Sequence, residues 1–150
     1  MDQSHQAIAD EIIAMSEADQ AMRNSETWDE SIDVKNTQRM KEIIAAIGWP
    51  TISKVGSQAS FMAWLLIQHA DRDNEFQQFC LALMKAEPAN EVERQNIAYL
   101  EDRVRVHQNQ PQIYGTQFYT NEQGELAPSP IEDPENVDKR RAEVGLGTLA

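Results

Sequence analysis

The chain has 150 residues, of which 41% are hydrophobic and 25% charged, and its formal net charge is −12. This composition is that of a globular protein rather than a disordered one, and the charge argues against direct binding to nucleic acid or to an anionic membrane surface, because phosphates need clustered Lys and Arg. The charge favours cationic partners instead. The single cysteine, Cys80, excludes an internal disulfide and fits a reducing compartment.

The start of the chain is polar and acidic, and it lacks the basic and apolar regions of a signal peptide. No apolar stretch approaches the length of a membrane span. We therefore predict a cytoplasmic protein that makes no membrane contact. Its length indicates a single domain over residues 1–150, with an N-terminal helix and acidic connection in residues 1–33 and the core in residues 34–150.

The spacing of apolar residues predicts a mainly α bundle of about five or six helices. The first helix covers residues 4–22, and its inward row consists of Ile8, Ile12, Met15 and Met22. The acidic connection that follows contains Trp28, which is predicted to pack down as an anchor, with a binding role as the alternative. A second helix over residues 34–47 ends at Gly48, a residue typical of helix C-termini.

The longest apolar run, residues 61–67, predicts a central buried helix that begins near Gly56. Ser57 and Lys54 at its start indicate either an anion on the free amides or a serine cap with a surface lysine. Directly after the run come three polar residues, Gln68, His69 and Asp71.

The second half of the chain begins with a predicted helix whose inward stripe is Phe76, Phe79, Cys80, Leu83 and Met84. Pro88 breaks that helix, and a fifth helix covers residues 90–107. A small β-hairpin is predicted near residues 112–127, with its first strand over residues 112–119. A short final helix over residues 135–144 ends at Gly145.

The common catalytic motifs are absent from this sequence. It has no phosphate-binding glycine loop, no dinucleotide fingerprint and no nucleophile elbow. The histidines His5, His69 and His107 lack metalloprotease spacing, and one cysteine cannot build a structural zinc site. We therefore expect no fixed metal and no obligatory cofactor, with a weak metal site at His69 and Asp71 as the alternative.

Three polar groups remain on otherwise apolar elements. They are Gln68, His69 and Asp71; Asp102, Arg103 and His107; and the strand residues Gln112, Tyr114 and Gln117. If the groups converge, His69 is the general acid or base, Asp102 orients it or is the partner acid, and Arg103 clamps an anion or oxyanion. The other residues, together with Arg140 and Arg141, are then expected to bind substrate. Each group also has a structural interpretation, respectively a helix-dipole contact, an ion pair and satisfaction of neighbouring backbone.

Six sequence blocks resemble a bacterial family of unknown function, DUF6624. They are GWP (48–50), VGSQAS (55–60), AWLLIQHAD (63–71), YLEDRV (99–104), QPQIYGTQF (110–118) and EDPENVDKRRAEVGL (132–146). The resemblance spans roughly residues 40–149 and is weaker over the N-terminal helix. It implies a small, mainly helical, bacterial cytoplasmic domain, and it implies no activity. Its blocks coincide with the three polar groups, which favours a shared pocket.

The function that we expect is that of a small-molecule enzyme without an obligatory cofactor, which hydrolyses, isomerises or cyclises its substrate by acid–base chemistry. The pocket would lie among the QHAD helix end, the DRV helix and the QxYGTQ strand. One alternative is an acidic interaction or immunity-type protein that binds a basic protein, and another is a ligand-binding module without turnover.

Overall fold

The computed structural model describes residues 3–25 and 29–149, the first two of these by their backbone alone. Within this part the chain forms seven α-helices, one 3₁₀ turn and a two-stranded antiparallel hairpin. The prediction of a mainly α fold with one small hairpin is confirmed. Trp28 lies outside the described residues. No helix in the described ranges is both long and apolar enough to cross a membrane.

The chain divides into two compact units, Met1–Val92 and Glu93–Ala150. The helices of the first unit are α1 (Gln3–Arg23), α2 (Glu30–Ile47), α3 (Ile52–Val55), α4 (Ser57–Gln68) and α5 (Asn74–Ala86). The second unit contains α6 (Arg94–His107), β1 (Phe118–Thr120), β2 (Leu126–Pro128), the 3₁₀ turn (Pro134–Asn136) and α7 (Val137–Glu143).

Helix α4 is the centre of the first unit, as the apolar run predicts. It packs against α1, α2, α3 and α5. Ala63 and Ile67 are fully buried, whereas Phe61 on the opposite side is 44% exposed and stacks at a tilt on Trp64, with 5.2 Å between ring centroids. The helix therefore buries most but not all of its circumference.

Helix α2 begins at Glu30, four residues earlier than the apolar spacing predicts. The side chain of Asp29 accepts a hydrogen bond from the amide of Ser31 and so caps the helix within the acidic stretch. The helix ends at Gly48, as expected, with a φ of 76°. Lys54 donates to the carbonyl oxygens of Ile47 and Trp49 just beyond this end, so its ammonium stabilises the end of α2 and is not held for an anion at α4.

Cys80 on α5 is buried, as predicted, and its burial raises the pKa of its thiol. The predicted inward stripe of this helix, however, was wrong at one position. Phe79 is 55% exposed, so its inward placement was wrong. The fully buried Gln77 takes the place on the inner face, because its amide reaches the end of α4. The buried face is consequently shifted toward residues 77 and 81.

Two predicted boundaries in the second unit were also wrong. Helix α6 begins at Arg94 rather than at residue 90, because Glu91 instead accepts from Ile52 through its carbonyl and from Ser53 through its carboxylate. Residues 112–117 form a loop rather than a strand, with one isolated bridge from Gln112 to Ile131. The strand fails to form because the amides of Ile113, Tyr114 and Thr116 donate to the buried carboxylate of Asp102 on α6. The side chains of this loop therefore do not alternate between two faces.

Candidate functional site

His69 is positioned by the end of α4. The helix stops at Gln68, and the amide of His69 still donates to the carbonyl of Leu65. The Gln77 side chain donates to the carbonyl of Ile67 at 3.0 Å and to the Asp71 carboxylate at 3.2 Å. These bonds fix the turn in which His69 lies, and they give Asp71 a structural partner.

A buried carboxylate holds one nitrogen of the His69 ring. Nδ1 of His69 lies 2.6 Å from Oδ2 of Asp19, which comes from α1 and is fully buried. Burial alone would raise the pKa of Asp19, but the hydrogen bonds and charges of His69 and Arg23 outweigh it and lower the pKa below its ordinary value. The ionised carboxylate therefore accepts from Nδ1–H and leaves Nε2 for other chemistry.

Arg23 joins this carboxylate to a second one. Its Nε lies 3.0 Å from Asp19, and its Nη2 lies 3.0 Å from Asp33 on α2. Burial raises the pKa of Asp33 above its ordinary value, the nearby Asp19 charge adds to the rise, and Arg23 offsets it only in part. Asp19 and Asp33 thus share the guanidinium of Arg23, but the pKa of Asp19 is lowered and that of Asp33 is raised.

His69 and Asp33 line the same cavity, which has a volume of about 220 Å³. One wall is a face of α2, and the other is the connection between α4 and α5. The lining residues are Asp33, Val34, Thr37, Gln38, Lys41, His69, Ala70, Arg72 and Asp73.

The cations at this cavity are paired with acids. Lys41 lies 2.6 Å from Asp73, and Arg72 is paired with Glu30. A ligand therefore meets neutral donors and acceptors, one histidine ring and one acid of raised pKa rather than an uncompensated positive charge. Across the described chain no group of three or more His, Cys, Asp or Glu side chains is placed to hold a metal ion.

Asp102 has a different task in the second unit. Its Oδ1 accepts from the amides of Ile113 at 2.8 Å and Tyr114 at 3.0 Å, and its Oδ2 accepts from the amide and hydroxyl of Thr116 at 3.1 and 2.8 Å. The carboxylate is fully buried. Its acceptor positions are filled by the loop, so Asp102 holds residues 113–116 in place.

The glutamines of this loop bind backbone as well. The buried Gln112 amide donates to the carbonyls of Gln117 and Ser129, both at 2.9 Å, and accepts from the amide of Gln117. Tyr114 is partly buried, and burial raises the pKa of its hydroxyl. These contacts are those of a polar core.

The adjacent arginines close the same loop from α7. Arg140 donates to the carbonyls of Ile113, Glu132 and Asp133, and Arg141 donates to those of Tyr114 and Gly147. Their cationic heads are thus engaged by backbone oxygens. Arg103 and His107 lie on α6, where both are partly buried and engaged.

The structure therefore places Gln68, His69 and Asp71 in the first unit and the other predicted residues in the second. Gln68 is buried, and its side-chain oxygen accepts no hydrogen bond from the described residues.

Sequence reasoning missed the two carboxylates around His69. Asp19 carried a signal, because it fills the gap between Met15 and Met22 in the inward row of α1, where an unpaired charge is costly. Asp33 had no such signal, since it lies in the stretch that was interpreted as an acidic connection.

Comparison with known proteins gives one family. The family of unknown function DUF6624 matches residues 6–150, and the chain belongs to it. The match extends to α1 and thus includes Asp19, beyond the roughly 40–149 of the sequence resemblance. No curated protein and no solved structure matches the chain.

Proposed function

We propose that this protein is a small-molecule enzyme that uses acid–base chemistry at His69, in the cavity between α2 and the α4–α5 connection. The observation that carries the proposal is the 2.6 Å contact between His69 Nδ1 and the fully buried Asp19, at the wall of a cavity. A buried acid that fixes one imidazole nitrogen orients the ring and selects its tautomer.

In this proposal the orienting role expected of Asp102 passes to Asp19. Asp102 could accept a proton only by releasing amides of its loop. Asp19 stays ionised because its pKa is lowered, and it stabilises the imidazolium that forms when Nε2 takes a proton. Nε2 accepts no hydrogen bond and donates none within the described chain, which leaves it for water or substrate.

Asp33 supplies the complementary acid. Burial raises the pKa of Asp33, so its carboxyl takes up a proton more readily than an ordinary aspartate does, and Arg23 holds the carboxyl in position. His69 would remove a proton from water or substrate while Asp33 protonates the departing or rearranging atom. Hydrolysis, isomerisation and cyclisation all fit this pair.

The cavity sets the size of the substrate. Its volume of about 220 Å³ is below the roughly 300–1,000 Å³ of sites for drug-sized ligands. Thr37 and Gln38 offer a hydroxyl and an amide to hold a small polar molecule.

A thermal-shift screen of the purified protein against small metabolites tests the site, with His69→Ala and Asp19→Asn beside it. A ligand that binds only the folded state raises the melting temperature, and the rise is expected to be lost in His69→Ala. In Asp19→Asn we expect binding to survive while turnover of that ligand falls by about 10²–10⁴-fold, the range of a general acid–base contribution.

His5→Ala is the matched control, since His5 is a partly buried histidine of the same unit that lies outside the cavity. The proposal would be refuted by a ligand that His69→Ala and Asp19→Asn bind and turn over as the unaltered chain does. A ligand that is bound through His69 but never altered would assign the cavity to a binding module instead.

A further inference from the structure

The β-hairpin exposes large apolar side chains. Phe118 is 50% exposed, Tyr119 is 51% and Leu126 is 76%. The register pairs Phe118 with Pro128 and Thr120 with Leu126, so these four side chains share one face of the hairpin. We call these four residues the hairpin face.

One edge of the hairpin is also open. Two hydrogen bonds mark the ends of the ladder: the amide of Asn121 donates to the carbonyl of Glu125, and the amide of Ser129 donates to the carbonyl of Gln117. Because hydrogen-bonded and non-hydrogen-bonded positions alternate along an antiparallel pair, the amides of Phe118 and Thr120 point away from β2. They donate to no residue in the described ranges. The opposite edge contains Pro128, which has no amide to donate, so the β1 edge is the better template for another strand.

The turn of the hairpin, residues 121–125, contains Glu122 and Glu125 and no Lys or Arg. Further along the chain, Glu132 and Asp133 are paired with Arg105 and Arg140, so the acids at the turn are the ones that a partner would meet. A second copy of the chain would bring the same acids and a net charge of −12, and it would be repelled. Charge complementarity therefore selects a basic partner.

We propose that the β1 edge binds an extended segment of a basic protein as a third strand. The amides and carbonyls of Phe118 and Thr120 pair with the backbone of that segment, and the hairpin face packs on its apolar side chains. Glu122 and Glu125 at the turn pair with its Lys or Arg side chains. This inference does not rest on the proposed enzyme.

The probe that tests it is a synthetic peptide of alternating lysine and valine, about ten residues long, which is ample for a three-residue strand. Amide resonances and hydrogen exchange of the whole protein are measured with and without the peptide. We expect shifts centred on β1 and slower exchange at the amides of Phe118 and Thr120. A peptide of alternating glutamate and valine is expected to produce neither.

Two variants separate the parts of the proposal. The double variant Phe118→Ser with Leu126→Ser removes apolar contact with the peptide. We expect it to raise the Kd for the basic peptide at least about tenfold, which corresponds to a loss of about 1.4 kcal/mol of binding free energy. Thr120→Pro removes one outward amide without touching the ladder bonds to β2, and it is expected to abolish protection at β1. Phe79→Ser on α5 is the control, because Phe79 is 55% exposed and thus similar to Phe118, and it should leave the Kd unchanged.

Shifts spread over the acidic surface without protection of β1 would overturn the proposal. The proposal would also be overturned if the Thr120→Pro variant, with an unchanged unfolding curve, bound the basic peptide with the same Kd as the unaltered chain. A dimer in sedimentation that Leu126→Asp dissociates would assign the edge to a second copy of the chain and also refute the basic partner.

Discussion

Two buried carboxylates show how partners decide the task of a residue. Asp102 receives amides and a hydroxyl on both oxygens and so organises a loop. Asp19 receives an arginine and a histidine that lines a cavity, which is the arrangement that the proposed proton transfer requires. Burial is the same for both carboxylates, which means that burial by itself does not predict which partners a buried acid has.

Removing the Asp102 carboxylate should destabilise the protein strongly. In Asp102→Ala the amides of Ile113, Tyr114 and Thr116 lose their acceptor, and we expect the free energy of unfolding to fall by at least about 3 kcal/mol. Urea unfolding measures the loss, and faster hydrogen exchange at residues 113–116 locates it. Asp138→Ala, which removes one exposed bond to the amide of Leu149, should cost no more than about 1 kcal/mol. Equal losses in the two variants would contradict the role of Asp102.

The Asp19 carboxylate should stabilise the fold only where it is ionised. Because its folded pKa is lowered from 3.8, stability is gained above that pH and lost as the pH falls through the folded value. The difference in unfolding free energy between the unaltered chain and Asp19→Asn should therefore be present above pH 3.8 and narrow below it. Urea unfolding at a series of pH values measures this difference, with the exposed Asp10→Asn on the same helix as control. If this difference in unfolding free energy stayed constant down to acid pH, the charge of Asp19 would contribute nothing to stability.

At the scale of elements, the ends of the helices are set by single residues. Gly48 closes α2 at a φ of 76° and a ψ of −164°, a region open almost only to glycine. Asp29 opens the same helix, and Gln77 satisfies the carbonyls at the end of α4. Of these three ends, the start of α2 and the end of α4 adjoin residues that line the cavity.

A methyl group at Gly48 should weaken the fold by backbone strain. A Cβ there would lie 3.2 Å from the ammonium of Lys54, which stabilises the same helix end. We expect Gly48→Ala to cost about 1–3 kcal/mol in unfolding free energy, measured by urea titration. Gly147→Ala meets nothing within 4 Å and should be near neutral. If Gly48→Ala were equally neutral, α2 would not depend on this conformation.

At the scale of the whole molecule, the excess of acids acts against folding. A net charge of −12 repels itself more strongly in the compact state than in the unfolded chain. Several ion pairs, such as that of Arg39 with Glu11, offset this locally. The balance between them determines how salt affects stability.

Added salt should therefore stabilise this protein. Between about 0.01 and 0.15 M salt the Debye length falls from about 30 to 8 Å, and we expect the melting temperature to rise by about 2–4 °C, equivalent to about 1 kcal/mol. Calorimetry in sodium chloride measures the shift. A fall over the same range would mean that attractive ion pairs outweigh the general repulsion.

The sequence by itself determined the main helices and their order. Apolar periodicity is a local property, so α1, α2, α4 and α5 could be predicted from it, as could the stop at Gly48 and the central place of α4. The sequence also indicated which polar blocks are unusual, since polar residues on buried elements stand out against the pattern.

Only the tertiary structure decided what those polar residues do. His69 and Asp19 are 50 positions apart, and Asp102 is 11 to 14 positions from the donors that it binds. No periodicity relates residues at such distances, because their meeting depends on the path of the backbone between them. Because the Asp102 side chain binds the backbone donors of residues 113–116, these residues form a loop, which is why the prediction of a strand over residues 112–117 was wrong.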